Sequence, residues 1–261
     1  MDSPFPSPEF AWSLRMRKAA PELFFAKQDH SGELLREKNH WLDTLGEHCL
    51  VETEKSGEFA AQLWALARDW GQVKKGEEKS LEALSRVWEC DLIFLDAETF
   101  RVAGGCVCFP SSWSLAGATG KTLGEVHGIV PGLNEAIGGK IHRFLSKLAP
   151  GKAYHRANWG MTRSDELNYH PALERERLDD TVTWNDLFLR LEHQSFLRLD
   201  GGIVLAVRIE PIALETLRLK HPEVLSHLKT QLATMPRDVA RYKSLEESVG
   251  RIVELIEEKL E

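Results

Sequence analysis

The chain has 261 residues, 43% hydrophobic and 28% charged, which supplies a sizeable core and excludes global disorder. A count of 33 basic against 40 acidic residues gives a net charge of -7 and argues against electrostatic nucleic-acid binding as the main task. No apolar run approaches the ~20 residues of a membrane helix. The opening MDSPFPSPEF lacks the basic start and apolar stretch of a signal peptide. The expectation is a soluble cytoplasmic protein with neither a nucleic-acid nor a membrane partner. The four cysteines, at 49, 90, 106 and 108, are spaced for neither a disulfide framework nor a zinc site and read as small core hydrophobes.

Pro4, Pro6 and Pro8 make the first residues extended. From Glu33 to Trp88 the pattern is helical, with Phe59, Leu63, Leu66 and Trp70 on one stripe and Leu81, Leu84, Val87 and Trp88 on another. The stretch 71–79, with two glycines and a charge cluster, interrupts it as a solvated loop. Asp91–Leu95 and Arg101–Phe109 are apolar runs joined by a polar link, a hairpin signal. Ser111 or Ser112 is placed to cap a short helix through Leu115, and Thr122 another through Val126. Leu133–Leu148 is an amphipathic helix with Ile137, Ile141, Phe144, Leu145 and Leu148 on one face.

Three further strands are expected at Tyr154–Thr162, Leu187–Leu199 and Ile203–Ile209, and a helix at Ser248–Leu260. The order of elements indicates an α+β fold with one antiparallel sheet. Register in the last hairpin decides which side chains share a face. A three-residue Asp200-Gly201-Gly202 loop pairs Leu199 with Ile203 and Gln194 with Arg208. It gathers the leucines and isoleucines on one face and Arg190, Glu192, Gln194, Arg198 and Arg208 on the other. A two-residue loop sets Arg190 and Glu192 among isoleucines, a cost of several kcal/mol if the charges are unpaired. The three-residue loop is therefore the expected one. Its polar face, with Phe188 and Phe196, reads as a pocket wall or an ion-paired solvated face, and Arg156 and Asn158 alternate so as to continue it.

Gly117-Ala-Thr-Gly-Lys-Thr122 imitates a phosphate loop, but Leu115 stands where the pattern needs glycine and no strand precedes it. Of ten histidines, His127 has the most unusual setting: Gly128, Pro131 and Gly132 fix the backbone, and Val126, Ile129 and Val130 are apolar neighbours. That suits an axial metal ligand, or a histidine bonded to a loop carbonyl.

Four stretches together carry a family resemblance: Gly104-Gly-Cys-Val-Cys-Phe-Pro-Ser-Ser-Trp-Ser-Leu-Ala116, Val126-His-Gly-Ile-Val-Pro-Gly132, Arg156-Ala-Asn-Trp159, and Leu189–Leu199 running into Ile203–Arg208. In order and spacing the chain, from about Phe5 to Lys243, resembles the haem-dependent oxidative N-demethylase alpha-subunit family. The resemblance implies a PAS-like five-stranded antiparallel sheet with short helices over 89–212, helices of 1–88 packed on it, and C-terminal helices over 213–261. It implies haem b, a small secondary amine oxidised to formaldehyde and the shorter amine, and electrons from a separate flavin and iron–sulfur reductase. His127 is then the axial metal ligand. Arg156, Asn158, Arg190, Gln194 and Arg208 face the cofactor, and Glu192 is the catalytic residue that handles the amine. The sequence departs from the family at His193, where the pattern usually has arginine. The alternative is a non-catalytic PAS-like sensor or small-ligand-binding module.

Overall fold

The computed structural model of the protein describes residues 4–5, 7–74 and 79–261, so the middle of the expected 71–79 loop and Pro6 lie outside the described residues. The N-terminal third forms β1 (Arg17–Ala19), α1 (Pro21–Phe25), α2 (Glu33–Cys49), β2 (Leu50–Val51), α3 (Glu54–Asp69) and α4 (Leu81–Val87). The expected hairpin follows as β3 (Asp91–Asp96) and β4 (Val102–Cys106). Next come α5 (Leu115–Ala118), α6 (Leu123–His127), a π-helical turn at Asn134–Gly138 and α7 (Gly139–Lys147). Strands β5 (Ala153–Thr162), β6 (Phe188–Arg198) and β7 (Gly202–Ala213) lead into helices α8 (Leu214–Lys220), α9 (Pro222–Ala233), α10 (Arg237–Tyr242) and α11 (Val249–Leu260).

The sheet is wholly antiparallel, in the order β1-β5-β6-β7-β3-β4-β2. Seven strands among the described residues correct the expected five. The two additions, β1 and β2, are its edges, and both come from the N-terminal third. At three and two residues they are too short to announce themselves by alternation. Gly104 and Gly105 let the β2 edge and β3 close on β4. Gly105 has φ +148°, and a Cβ there would lie 2.1 Å from the Leu92 carbonyl oxygen.

Both faces of the sheet are covered. Phe24, Phe59, Leu63 and Trp64 pack on Leu92, Phe94, Val204 and Ala206 at one end of the back face. Leu217, Leu225, Leu228 and Ile256 pack on Trp159, Met161, Leu189 and Leu191 at the other. On the front face, Leu115, Ala118, Leu145 and Leu148 meet Ile93, Leu95, Phe196 and Ile203. A buried ion pair stands behind the front layer. The Lys38 ammonium lies 3.3 Å from Asp91 and donates to the Cys90 carbonyl, while Asp91 accepts from the amides of Cys108 (3.0 Å) and Phe109 (2.8 Å). These bonds satisfy both charges and steer the chain out of β4.

The last hairpin takes the register that was not expected. Arg198 pairs with Ile203, Gln194 with Val207 and Glu192 with Ile209, and the Leu199 amide bonds the Gly202 carbonyl at 2.9 Å, leaving a two-residue turn. The expected penalty does not arise because Arg190, only 2% exposed, is not unpaired: its guanidinium reaches the carbonyls of Phe109 (2.9 Å) and Leu167 (2.8 Å). A sheet buried on both sides needs no wholly apolar face, provided its polar groups are bonded. The consequence for Arg208 is direct: it stands opposite His193 and points to the back face.

Gly105→Ala is expected to destabilise the protein by about 4 kcal/mol or more, because a positive φ and a backbone collision coincide. Chemical denaturation measures it; a loss under about 1 kcal/mol would contradict this packing.

Candidate functional site

Six of the seven expected site residues share the front of the sheet or face it. Arg156 stands opposite Gln194, Asn158 opposite Glu192 and Gly160 opposite Arg190. Direct antiparallel partners project to the same side, so β5 and β6 present one polar field. His127, the last residue of α6, faces it from the helical layer. Arg208 is the exception, on the other side of the sheet.

Glu192 is the centre of this field. Its carboxylate accepts from Ser111 Oγ (2.8 Å), Asn158 Nδ2 (3.0 Å) and Gln194 Nε2 (3.2 Å). All three donors are neutral, so they fix the carboxylate without cancelling its charge. Arg190 acts one step back. Its Nε donates to Ser111 Oγ (3.0 Å), its other nitrogens bond the carbonyls of Phe109, Leu167 and Glu166, and its plane lies over the Tyr169 ring at 5.3 Å. With its donors occupied, Arg190 positions Ser111 rather than reaching into the cavity.

Ser111 or Ser112 was expected to cap a helix. The helix starts later, at Leu115, and Ser114 caps it through the Gly117 amide. This shift frees the Ser111 hydroxyl for Glu192. Lys243 was also unassigned by sequence reasoning: its ammonium donates to the Trp159 carbonyl (2.8 Å) and lies 5.0 Å from that ring's centre. Burial depresses its pKa to about 8, against the opposing pull of Glu192 and with a further push from Arg156. No short-range pattern could have joined Lys243 to Glu192 across some fifty residues.

An apolar cavity of about 200 Å³ lies between α5–α6 and the sheet, walled by Ile93, Leu95, Val107, Leu205 and Val207 and bounded by His127, Glu192 and Gln194. A second cavity, of about 370 Å³, adjoins on the far side of α6, with His127 and Leu123 as shared wall. The His127 imidazole makes no hydrogen bond among the described residues, which removes the loop-carbonyl alternative. Burial, with a smaller contribution from Arg156, pushes its pKa down to about 4, so it is neutral at pH 7 with its lone pair free. Arg156 is itself half-buried, with a buried Nε that has no hydrogen-bond partner, and burial lowers its pKa against the attraction of Glu192.

Residues 19–253 match the family described as haem-dependent oxidative N-demethylase, alpha subunit-like. The chain belongs to this family. Comparison with curated proteins gives no match.

The residues present fit the haem that the family's name implies. A neutral, unbonded imidazole is the donor an axial position needs. The Arg156 Nε, buried without a hydrogen-bond acceptor, would suit a propionate oxygen. The remaining walls are apolar. The smaller cavity alone is below the ~300–1,000 Å³ usual for ligand pockets, so a haem would also need the adjoining space that shares His127 and Leu123. No group of three or more potential metal-ligating side chains converges among the described residues, so His127 stands as a single donor.

The depressed histidine has a measurable signature. Because the folded-state pKa of His127, about 4, is below its ordinary 6.5, the unfolded chain takes up the proton first as pH falls. This contribution to stability is present above pH 6.5 and is lost progressively towards pH 4. NMR titration is expected to show His127 neutral down to about pH 5, and Arg156→Leu to raise its pKa. A native midpoint near 6.5 would contradict the burial of the ring.

Proposed function

We propose that this member of the family is a PAS-like haem subunit that oxidises N-methyl groups of small secondary amines. The central strands run β4-β3-β7-β6-β5, with α5–α7 inserted between β4 and β5 and laid over the front face. That order supports the PAS-like reading, with the two N-terminal edge strands as additions. The observation that carries the functional reading is the pairing, across one apolar cavity, of a free neutral imidazole with a carboxylate held by neutral donors.

In this proposal His127 would ligate the haem iron and Arg156 would hold a propionate. When bound, haem b supplies oxygen activation. Dioxygen, two electrons and two protons convert the methylamine into formaldehyde, the shorter amine and water. The electrons come from a separate flavin and iron–sulfur protein. Glu192 binds the secondary ammonium cation and orients its methyl group towards the cavity, with Ser111, Asn158 and Gln194 holding the carboxylate in one position. Asn158 and Gln194 thus act through Glu192, and Arg190 acts through Ser111. Apolar Val107, Leu205 and Val207 exclude water, which strengthens the ion pair between amine and carboxylate. Lys243, with its pKa near 8, is a proton source beside Glu192. Arg208, on the opposite face, has no part in this reaction.

Dimethylamine titrated into haem-loaded protein is expected to shift the absorption spectrum saturably and, with a reductant and oxygen, to yield formaldehyde. Glu192→Gln should retain haem and weaken amine binding about tenfold. Undiminished amine affinity in that variant would remove Glu192 from the role. Amine binding without formaldehyde would point to a non-catalytic binding module instead.

A further inference from the structure

Gly160 is a glycine that the fold does not ask for. It lies inside β5, outside the left-handed region of backbone space, and a Cβ at this position would meet nothing within 4 Å. At Gly104 and Gly105, by contrast, a Cβ would collide with a neighbouring carbonyl oxygen. A glycine inside a strand forfeits packing and costs backbone entropy. One that neither backbone conformation nor close packing requires marks a place where something else approaches. Gly160 projects to the front of the sheet with its partner Arg190, two residues from Asn158, whose side chain holds Glu192.

The open space at Gly160 belongs to a third cavity, of about 170 Å³. β1 pairs with β5 only at Ala153–His155, so beyond them β5 is a free sheet edge among the described residues. Leu178, from the connection between β5 and β6, and Tyr242 and Lys243, at the end of α10, wall the cavity along that edge. It shares Ser111 and Glu192 with the apolar cavity beside His127, so the carboxylate stands on the boundary of two spaces. Ser111, Asn158 and Gln194 use three of its roughly four acceptor positions and leave about one for a ligand. Buried Trp159, Met161 and Leu178 give the third cavity apolar surface. Its cations each have an acceptor within the chain: Arg163 lies 3.3 Å from Asp179, Arg190 bonds carbonyls and Ser111, and Lys243 bonds the Trp159 carbonyl. A second ammonium group there would face all three of them, so the wall favours an uncharged body.

We infer that this cavity takes the second, non-reacting N-substituent of the amine, and that the preferred substrate is an N-methylalkylamine larger than dimethylamine. The inference rests on the reading of Glu192 as the amine site. With the ammonium at Glu192, the methyl group enters the cavity beside His127 and the alkyl group lies over Gly160. At ~30 Å³ for each water-sized group, 170 Å³ holds about five non-hydrogen atoms, the size of a butyl chain. Gly160 is then a specificity-determining residue: any side chain at this position would occupy the space of the substituent.

The test is calorimetric titration of the haem-loaded, full-length protein with dimethylamine and with N-methylbutylamine, repeated on Gly160→Ala and Gly160→Val. The longer amine is expected to bind about tenfold more tightly than dimethylamine. Gly160→Val, whose side chain enters open space and favours extended backbone, is expected to melt no lower than the native protein and to remove that preference. Gly160→Ala is expected to reduce it, and carries the test if the valine variant does not fold. Binding of dimethylamine with no preference for the longer amine, or a preference that survives in the folded variants, would overturn this inference and leave the amine site at Glu192 standing. Binding of neither amine would overturn both. Unfolding of both variants would show that the fold itself needs the glycine, which also overturns the inference.

Discussion

The arrangement depends on one buried guanidinium. Arg190 is almost wholly inside the protein, on the front of β6, where a charge without partners would cost several kcal/mol. It is bonded to carbonyls of two separate loops, at Phe109 and at Leu167, and to the Ser111 hydroxyl. Those bonds let a polar strand pair with an apolar one, so β6 and β7 adopt the two-residue turn. They also bring the segment after β4 onto the sheet, which is how Ser111 reaches Glu192.

From that register follows a division of labour between the two faces. Glu192, Gln194, Asn158 and Arg156 collect on the front, beneath the short helices and opposite His127. Arg208 and His155 turn to the back, beneath the N-terminal strap. The same strands thereby line an apolar cavity of about 200 Å³ on one side and a cavity of about 890 Å³ on the other. A hairpin with the other register would have put Arg208 beside Glu192 and neutralised the carboxylate proposed to hold a cationic amine.

Much of the architecture was legible in the sequence. The β3–β4 hairpin, the Thr122 cap of α6, the three long strands and α11 follow from local periodicity and turn chemistry. The grouping of Arg156 and Asn158 with Glu192 followed from alternation along two strands. What escaped had non-local causes. The register turned on whether Arg190 would find partners, and those lie at Phe109 and Leu167, distant in sequence. Ser111 reads as a helix cap because nothing local distinguishes it from Ser114. The edge strands at Arg17–Ala19 and Leu50–Val51 owe their form to the neighbours they pair with, and the Lys38–Asp91 pair joins a helix to a strand some fifty residues away.

The central claim is that His127 offers its free imidazole to a haem. The most direct measurement is the absorption spectrum of native protein and His127→Ala during titration with hemin, with circular dichroism as the check on folding. The account predicts a one-to-one Soret band with a histidine-ligated spectrum in the native protein, and loss of that ligation in folded His127→Ala. An identical spectrum and stoichiometry in the variant, or a native protein that takes up no haem, would contradict it.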